Sequence, residues 1–171
     1  MRFVAFLRAI NTGNRRIKMM ELRDVFSYAG FEHVETYIAS GNVIFEAGSP
    51  PDVGRIEKAI RDGVGFDSRA FVRSASEVRS VLERVPWKHA GAVVDVSFLE
   101  QSPEDRLARD LEATAVLPEE LAVRGAEVYF LRASRGGQTT HKEQVVAKTL
   151  HMNTTRRGLR TVDQIHRRFL T

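Results

Sequence analysis

Val34-Glu35-Thr36-Tyr37-Ile38-Ala39-Ser40-Gly41-Asn42-Val43-Ile44-Phe45-Glu46 sets two runs rich in β-branched and aromatic residues around Ser40-Gly41-Asn42. Gly and Asn tolerate positive φ, so the tripeptide predicts a tight connection between two strands. In the first run Val34, Thr36 and Ile38 alternate with Glu35, Tyr37 and Ala39, which is the strand period.

The elements on either side follow from similar patterns. Phe3 to Ile10 is a near-continuous apolar run, the mark of a strand buried on both faces. Turn formers and bases follow in Asn11-Thr12-Gly13-Asn14-Arg15-Arg16. Leu22, Val25, Phe26 and Ala29 then recur at helical spacing, with Gly30 as the stop and Phe31 placed to pack back on the last turn. Beyond the hairpin, Pro50-Pro51-Asp52 opens a second helix on Val53, Ile56, Ile60 and Val64, weakened by Gly54 and Gly63. Ser68 to Arg73 reads as a strand. The order β-α-β-β-α-β is the split unit of ferredoxin-like domains, and its first and last strands are expected in the middle of the sheet. Both faces of the first strand are apolar, since Phe3, Ala5 and Leu7 alternate with Val4 and Phe6. Tyr37 and Phe71 are expected on the second face, which predicts a covered face rather than one open to water.

The same element order recurs. Ser74 with Glu77 forms a capping box for a helix on Val78, Val81, Leu82 and Val85 that stops at Pro86. Val93 to Leu99 is a strand, and Ser102 with Pro103 is read as an N-cap and first turn ahead of Leu107 and Leu111. Glu120 to Val123 and Glu127 to Arg132 form strands turning at Arg124-Gly125-Ala126. Thr140 with Glu143 caps a helix holding Val145, Val146, Thr149 and Leu150, and Met152 to Arg156 closes the sheet as an edge strand. Thr161 with Gln164 starts a last helix on Val162, Ile165 and Phe169. The expected fold is α+β, with two tandem ferredoxin-like (βαββαβ) units and an extra C-terminal helix. Residues 1–74 form the first domain; residues 75–171 hold a linker helix, the second domain and the C-terminal helix. The repeat lies in element order, not in matching residues.

Composition narrows the function classes. With no Cys among 171 residues, disulfides, thiolate metal sites and Cys nucleophiles are excluded. The start lacks a signal peptide pattern and no window approaches a membrane span, so a soluble cytoplasmic protein without membrane partners is expected. Net charge is +4 but uneven: Pro86 to Ser134 holds nine acids against five bases, and Arg135 to Thr171 holds eight bases against two acids. Such asymmetry attracts anionic partners or simply solvates a face.

Two clusters carry the candidate chemistry. Arg8, Asn11, Arg15, Arg16, Lys18, Ser40 and Asn42 are expected at one sheet end, where the Asn11–Asn14 loop before a helix offers an anion site. The loop is not of the Gly-x4-Gly-Lys-Ser/Thr kind, and Arg8 and Asn11 equally suit fixing the strand-to-helix turn. Arg156, Arg157 and Arg160 precede the last helix and offer guanidinium forks to phosphate, or belong to an exposed loop capped by Thr161. His141, after Arg135-Gly136-Gly137-Gln138-Thr139-Thr140, is the one histidine read in a mobile polar context and as a candidate acid–base. No strand carries the aromatic pattern with which RNA-reading sheets stack bases.

Three segments resemble the bacterial family catalogued as domain of unknown function 1697. They are Leu7 to Gly13 with Lys18-Met19 and Glu21-Leu22-Arg23; Tyr37 to Phe45; and Thr155 to Val162. The family usually shows Asn then Trp where Gly158 and Leu159 stand, and favours Gly at Ala9 and Asn14, so any site built on those groups is altered here. The resemblance implies two tandem ferredoxin-like domains and implies no activity.

The leading expectation is a non-catalytic binding protein for an anionic ligand, nucleotide or nucleic acid, without a cofactor or metal. Two alternatives stay open. One is a small enzyme acting on a phosphorylated substrate, with His141 and Arg8 in its site. The other is an interaction module that forms a homo-oligomer.

Overall fold

The structure, a computed structural model, describes residues 1–89, 91–132 and 141–171. The chain forms two compact units, Met1–Val78 with Ile165–Thr171, and Arg79–Gln164. It is a mixed α+β protein with two four-stranded antiparallel sheets.

In the first unit β1 (Arg2–Leu7), α1 (Met19–Tyr28), β2 (Glu32–Thr36), β3 (Asn42–Glu46), α2 (Val53–Val64) and β4 (Ala70–Ser74) follow one another. The strand order is β2-β3-β1-β4, so the middle strands are the first and third, not the first and last. β1 still has a neighbour on each side, with Phe3 opposite Phe45 on β3 and Phe6 opposite Phe71 on β4. One sheet face packs Phe3, Ala5, Leu7, Val43 and Phe45 with Leu22, Phe26, Ile56 and Ile60 of the helices. The aromatic rings interlock: Phe45 lies 4.6 Å from Phe31, 5.5 Å from Phe26 and 5.9 Å from Phe3. Each such ring contributes roughly 1.5–3 kcal/mol on burial. Val4, Phe6, Ile44 and Phe71, on the second face, are also buried, so that face is not open to water.

Helix ends obey their local signals in this unit. Asp52 caps α2 by accepting from the Gly54 N–H at 2.9 Å, and Gly30, at φ 85°, ends the α1 turn as Phe31 N–H returns to the Phe26 carbonyl at 3.2 Å. Gly63 has a packing reason: a Cβ there would lie 2.6 Å from Val25 Cγ2 on the facing helix. The hairpin is looser than its sequence suggests. β2 ends at Thr36, and Tyr37 to Gly41 form the connection, with Ile38 at φ 51° and 49% exposed rather than alternating in a strand. Tyr37 belongs to this loop, with its ring 5.7 Å from that of Phe169. Likewise β1 stops at Leu7, because Ala9 and Asn11 turn left-handed at φ 56° and 55°.

After α3 (Ala75–Glu83) come β5 (Val93–Leu99), α4 (Asp105–Glu112), β6 (Glu120–Arg124), β7 (Glu127–Arg132), α5 (Glu143–Leu150), β8 (Thr154–Gly158) and α6 (Leu159–Ile165). Ser74 and Glu77 form their box at the start of α3: the Ser74 N–H donates to Glu77 Oε2 at 2.7 Å and the Glu77 N–H to Ser74 Oγ at 3.3 Å. The second sheet has the order β6-β7-β5-β8, with Leu99, Val128 and Phe130 packed against Leu111, Val146 and Leu150. Three local expectations shift. Glu104, not Ser102, precedes α4 as the N-cap; β8 starts two residues later than expected; and Thr161 lies inside α6, which begins at Leu159. The expected Thr140 cap lies outside the described residues. α6 runs into a π-helical turn, His166–Leu170. Among the described residues no helix is long and apolar enough to cross a membrane.

Candidate functional site

Where β1 ends, the chain stays tied to the segment that enters β4. The Arg8 N–H donates to the Arg69 carbonyl at 2.9 Å, and Ser68 Oγ donates to the Arg8 carbonyl at 2.7 Å. The loop that follows alternates into the left-handed region at Ala9, Asn11 and Gly13. Asn11 holds it there: Oδ1 accepts from the Ile17 N–H at 2.8 Å, while Nδ2 donates to the Ile17 and Ala39 carbonyls, each at 3.1 Å. These contacts give the loop one shape and leave its outer side facing the α2–β4 connection.

Between them lies a cavity of about 800 Å³. Four arginines line it, Arg8, Arg15, Arg61 and Arg69, together with Glu57 and Asp67. Arg15 Nη1 donates to the Asp67 carbonyl at 3.0 Å, and its guanidinium lies 5.0 Å from the Phe66 ring centre. Arg61 Nη1 meets the Asp67 carboxylate at 3.3 Å, and Arg69 Nη1 meets Glu57 at 3.0 Å. The other Glu57 oxygen accepts from the Ala70 N–H at 3.0 Å. Four guanidiniums against two carboxylates leave the lining cationic, and planar forks of this kind suit phosphate and carboxylate oxygens.

The structure therefore brings Arg8 and Arg15 of the expected first cluster into one cavity. Its other members do different work. Arg16 turns back on the Gly13 and Arg15 carbonyls, and exposed Lys18 starts α1, its N–H donating to Glu21 Oε2 at 3.1 Å. Asn42 is fully buried and holds the hairpin loop through the Tyr37 carbonyl at 2.8 Å and Ser40 Oγ at 3.0 Å. Arg61, Arg69, Glu57 and Asp67 escaped the sequence reading. Glu57 and Arg61 sit at i, i+4 on α2, a spacing that reads as an ordinary solvated helix pair.

The second cluster belongs to the second unit and divides. Arg156, opposite Ser97 on β5, donates from Nε to Ser97 Oγ at 3.1 Å and lies 3.6 Å from Glu143 Oε1. Its guanidinium carbon sits 3.8 Å from the Phe130 ring centre. Burial pushes its pKa down, opposed by Glu143 and Asp95. Glu143 accepts from Ser97 Oγ at 2.7 Å and Thr154 Oγ1 at 2.8 Å, so these side chains form one network at the start of α5. Burial also raises the Asp95 carboxyl, against the pull of Arg132 and Arg156. Arg157, next along β8, turns to the opposite face. It is 8% exposed, and burial pushes its pKa down to about 10. Its Nη1 donates to Thr155 Oγ1 at 3.0 Å and to the Arg156 carbonyl at 2.8 Å. Neither arginine lies in an exposed loop. Arg160 lines a smaller cavity of about 390 Å³ with Leu82, Val85, Trp87 and Lys88.

His141 is corrected outright. It is 4% exposed, with Nε2 2.8 Å from Thr114 Oγ1 and Nδ1 3.8 Å from Glu119 Oε2, a buried residue rather than one in a mobile polar segment. Residues 135–140, on which that expectation leaned, lie outside the described residues. Among the described residues no group of three or more His, Cys, Asp or Glu is placed to hold a metal ion.

Fold and cavity thus define an α+β protein with an arginine-lined pocket at the end of one sheet. The chain belongs to the family described as protein of unknown function (DUF1697), whose model matches residues 1–129. Among solved structures it is similar to the conserved bacterial protein SP0830 from Streptococcus pneumoniae, at 24% identity and a TM-score of 0.74, covering 97% of this chain and 96% of that one. That likeness speaks to fold alone. No curated protein matches the chain.

Proposed function

We propose that the chain is a tandem of two ferredoxin-like units, and that the cavity of the first unit binds an anionic ligand of nucleotide type without catalysis. The strand orders β2-β3-β1-β4 and β6-β7-β5-β8, antiparallel throughout, support the first statement. One observation carries the second: Arg8 and Arg15 from one stretch of the sequence and Arg61 and Arg69 from another, some fifty residues on, line one cavity whose described lining includes the carboxylates Glu57 and Asp67. A concave site also favours a small anion over the flank of a long nucleic acid, which needs an extended basic track. Absence of Cys, with no membrane-spanning helix among the described residues, fits a site of action in the cytoplasm.

Calorimetric titration of mononucleotides and of a single-stranded oligonucleotide, repeated across salt concentrations, tests the reading. Mononucleotide binding that weakens at least tenfold in Arg15→Ala supports it. Were the oligonucleotide to engage all four arginines, log affinity would fall with log salt at a slope of roughly −3, and nucleic acid would replace the small anion. No binding of either at low salt contradicts both.

A further inference from the structure

The ligand class follows from Asp67. We infer that the cavity takes a phosphomonoester, bound as its dianion, with the phosphate in the place the Asp67 carboxylate now holds; the inference rests on the anion-binding reading above. Asp67 lies between two of the arginines, with Arg15 on its main-chain carbonyl at 3.0 Å and Arg61 on its carboxylate at 3.3 Å. Its carboxylate acts as a tethered counter-ion to Arg61, and a phosphate that takes its place meets Arg61 beside Arg15.

Displacement is cheap for Asp67 and expensive for Glu57. The Asp67 side chain is 80% exposed and Arg61 is 56% exposed, and an ion pair in that much water is weak. Glu57 is 21% exposed and uses both oxygens, one on Arg69 and one on the Ala70 N–H, so it stays. A free carboxylate offers the same two oxygens and single charge as Asp67, and gains little over a group already tethered in place. A phosphodiester likewise offers one charge. A phosphomonoester brings nearly two charges and three acceptor oxygens, and in the place of the Asp67 carboxylate its dianion is matched by the two guanidiniums at that residue, Arg15 and Arg61. The volume of about 800 Å³ exceeds the need of a bare phosphate and leaves room for its organic part.

The test uses the full chain at low salt in calorimetric titrations with adenosine 5′-monophosphate, adenosine 3′,5′-cyclic monophosphate and benzoate. The monoester is expected to bind at least about tenfold more tightly than the cyclic diester, with benzoate weaker than both, as twice the charge at one place roughly doubles the attraction. Asp67→Asn is expected to tighten the monoester about two- to fivefold, since it removes a competitor as strong as an exposed ion pair, with thermal unfolding unchanged. Equal affinity for monoester and diester overturns the inference while leaving anion binding intact. So does an Asp67→Asn variant that binds the monoester no better than the parent. Failure of all three anions to bind overturns the anion-binding reading, and this inference with it.

Discussion

Ala9 carries a methyl group where the backbone turns left-handed, at φ 56°. Glycine occupies that region without steric cost, and the family resemblance sets Gly at this position. Ala9→Gly is therefore expected to raise stability by about 0.5–1 kcal/mol, read as a higher urea midpoint at unchanged slope. A lowered midpoint contradicts the account of the loop. At the surface, Glu46 accepts from Arg2 Nε at 3.1 Å and lies 3.2 Å from His33 Nδ1. The Arg2 hydrogen bond is the larger cause, and with His33 it holds the Glu46 carboxyl below its usual value. A lowered carboxyl pKa stabilises the fold above the ordinary carboxylate value, and that part is lost as pH falls through the lowered one. Acid titration of stability should show this loss in the parent, and Glu46→Gln should remove it. Identical acid profiles for the two proteins count against the pairing.

Elements were legible in proportion to how local their causes are. The Ser74–Glu77 box, the helix start at Pro50-Pro51-Asp52 and the Gly30 stop are written in three or four neighbouring residues, and each folds as read. Ser102 and Thr161 carry the same local signals, yet α4 starts after Glu104 and α6 starts at Leu159, ahead of Thr161. α6 follows β8 without a break, so there the end of the strand sets where the helix begins and local propensity yields. Ile38 shows the converse, since its alternation is strand-like but the connection needs it at φ 51°. Gly63 was read as a weakness in α2, whereas it permits the contact with Val25. Gly63→Ala, which in an isolated helix adds about 1 kcal/mol, is expected here to cost roughly 1–3 kcal/mol by overpacking. A gain in melting temperature would show that the helices part readily. Phe45→Ala, among the rings of Phe3, Phe26 and Phe31, should cost about 3–5 kcal/mol by the same denaturant measurement.

For the molecule as a whole, basic residues counted along the chain were a poor guide to the site. The tail from Arg135 to Thr171 is the most basic stretch, yet Arg156 is largely shielded and Arg157 is buried, and both are held by partners inside the second unit. The cavity draws its cations from the β1 end, the following loop, α2 and the β4 entry, and no sequence window contains all four. Asn11, Ser40 and Asn42 stood out because turns favour them, and turn-making is the work their side chains do. Sequence reading found half of the lining arginines, Arg8 and Arg15, because they flank a recognisable loop. Arg61 and Arg69 needed the folded chain.

Backbone amide NMR of the labelled protein, titrated with adenosine 5′-monophosphate at low salt, examines the central claim most directly. The account predicts saturable shifts concentrated at Arg8, Thr12, Gly13, Arg15, Asp67 and Arg69, lost in an Arg8→Ala/Arg15→Ala variant that remains folded. Shifts centred on the second unit, or a spectrum indifferent to the anion, would contradict it.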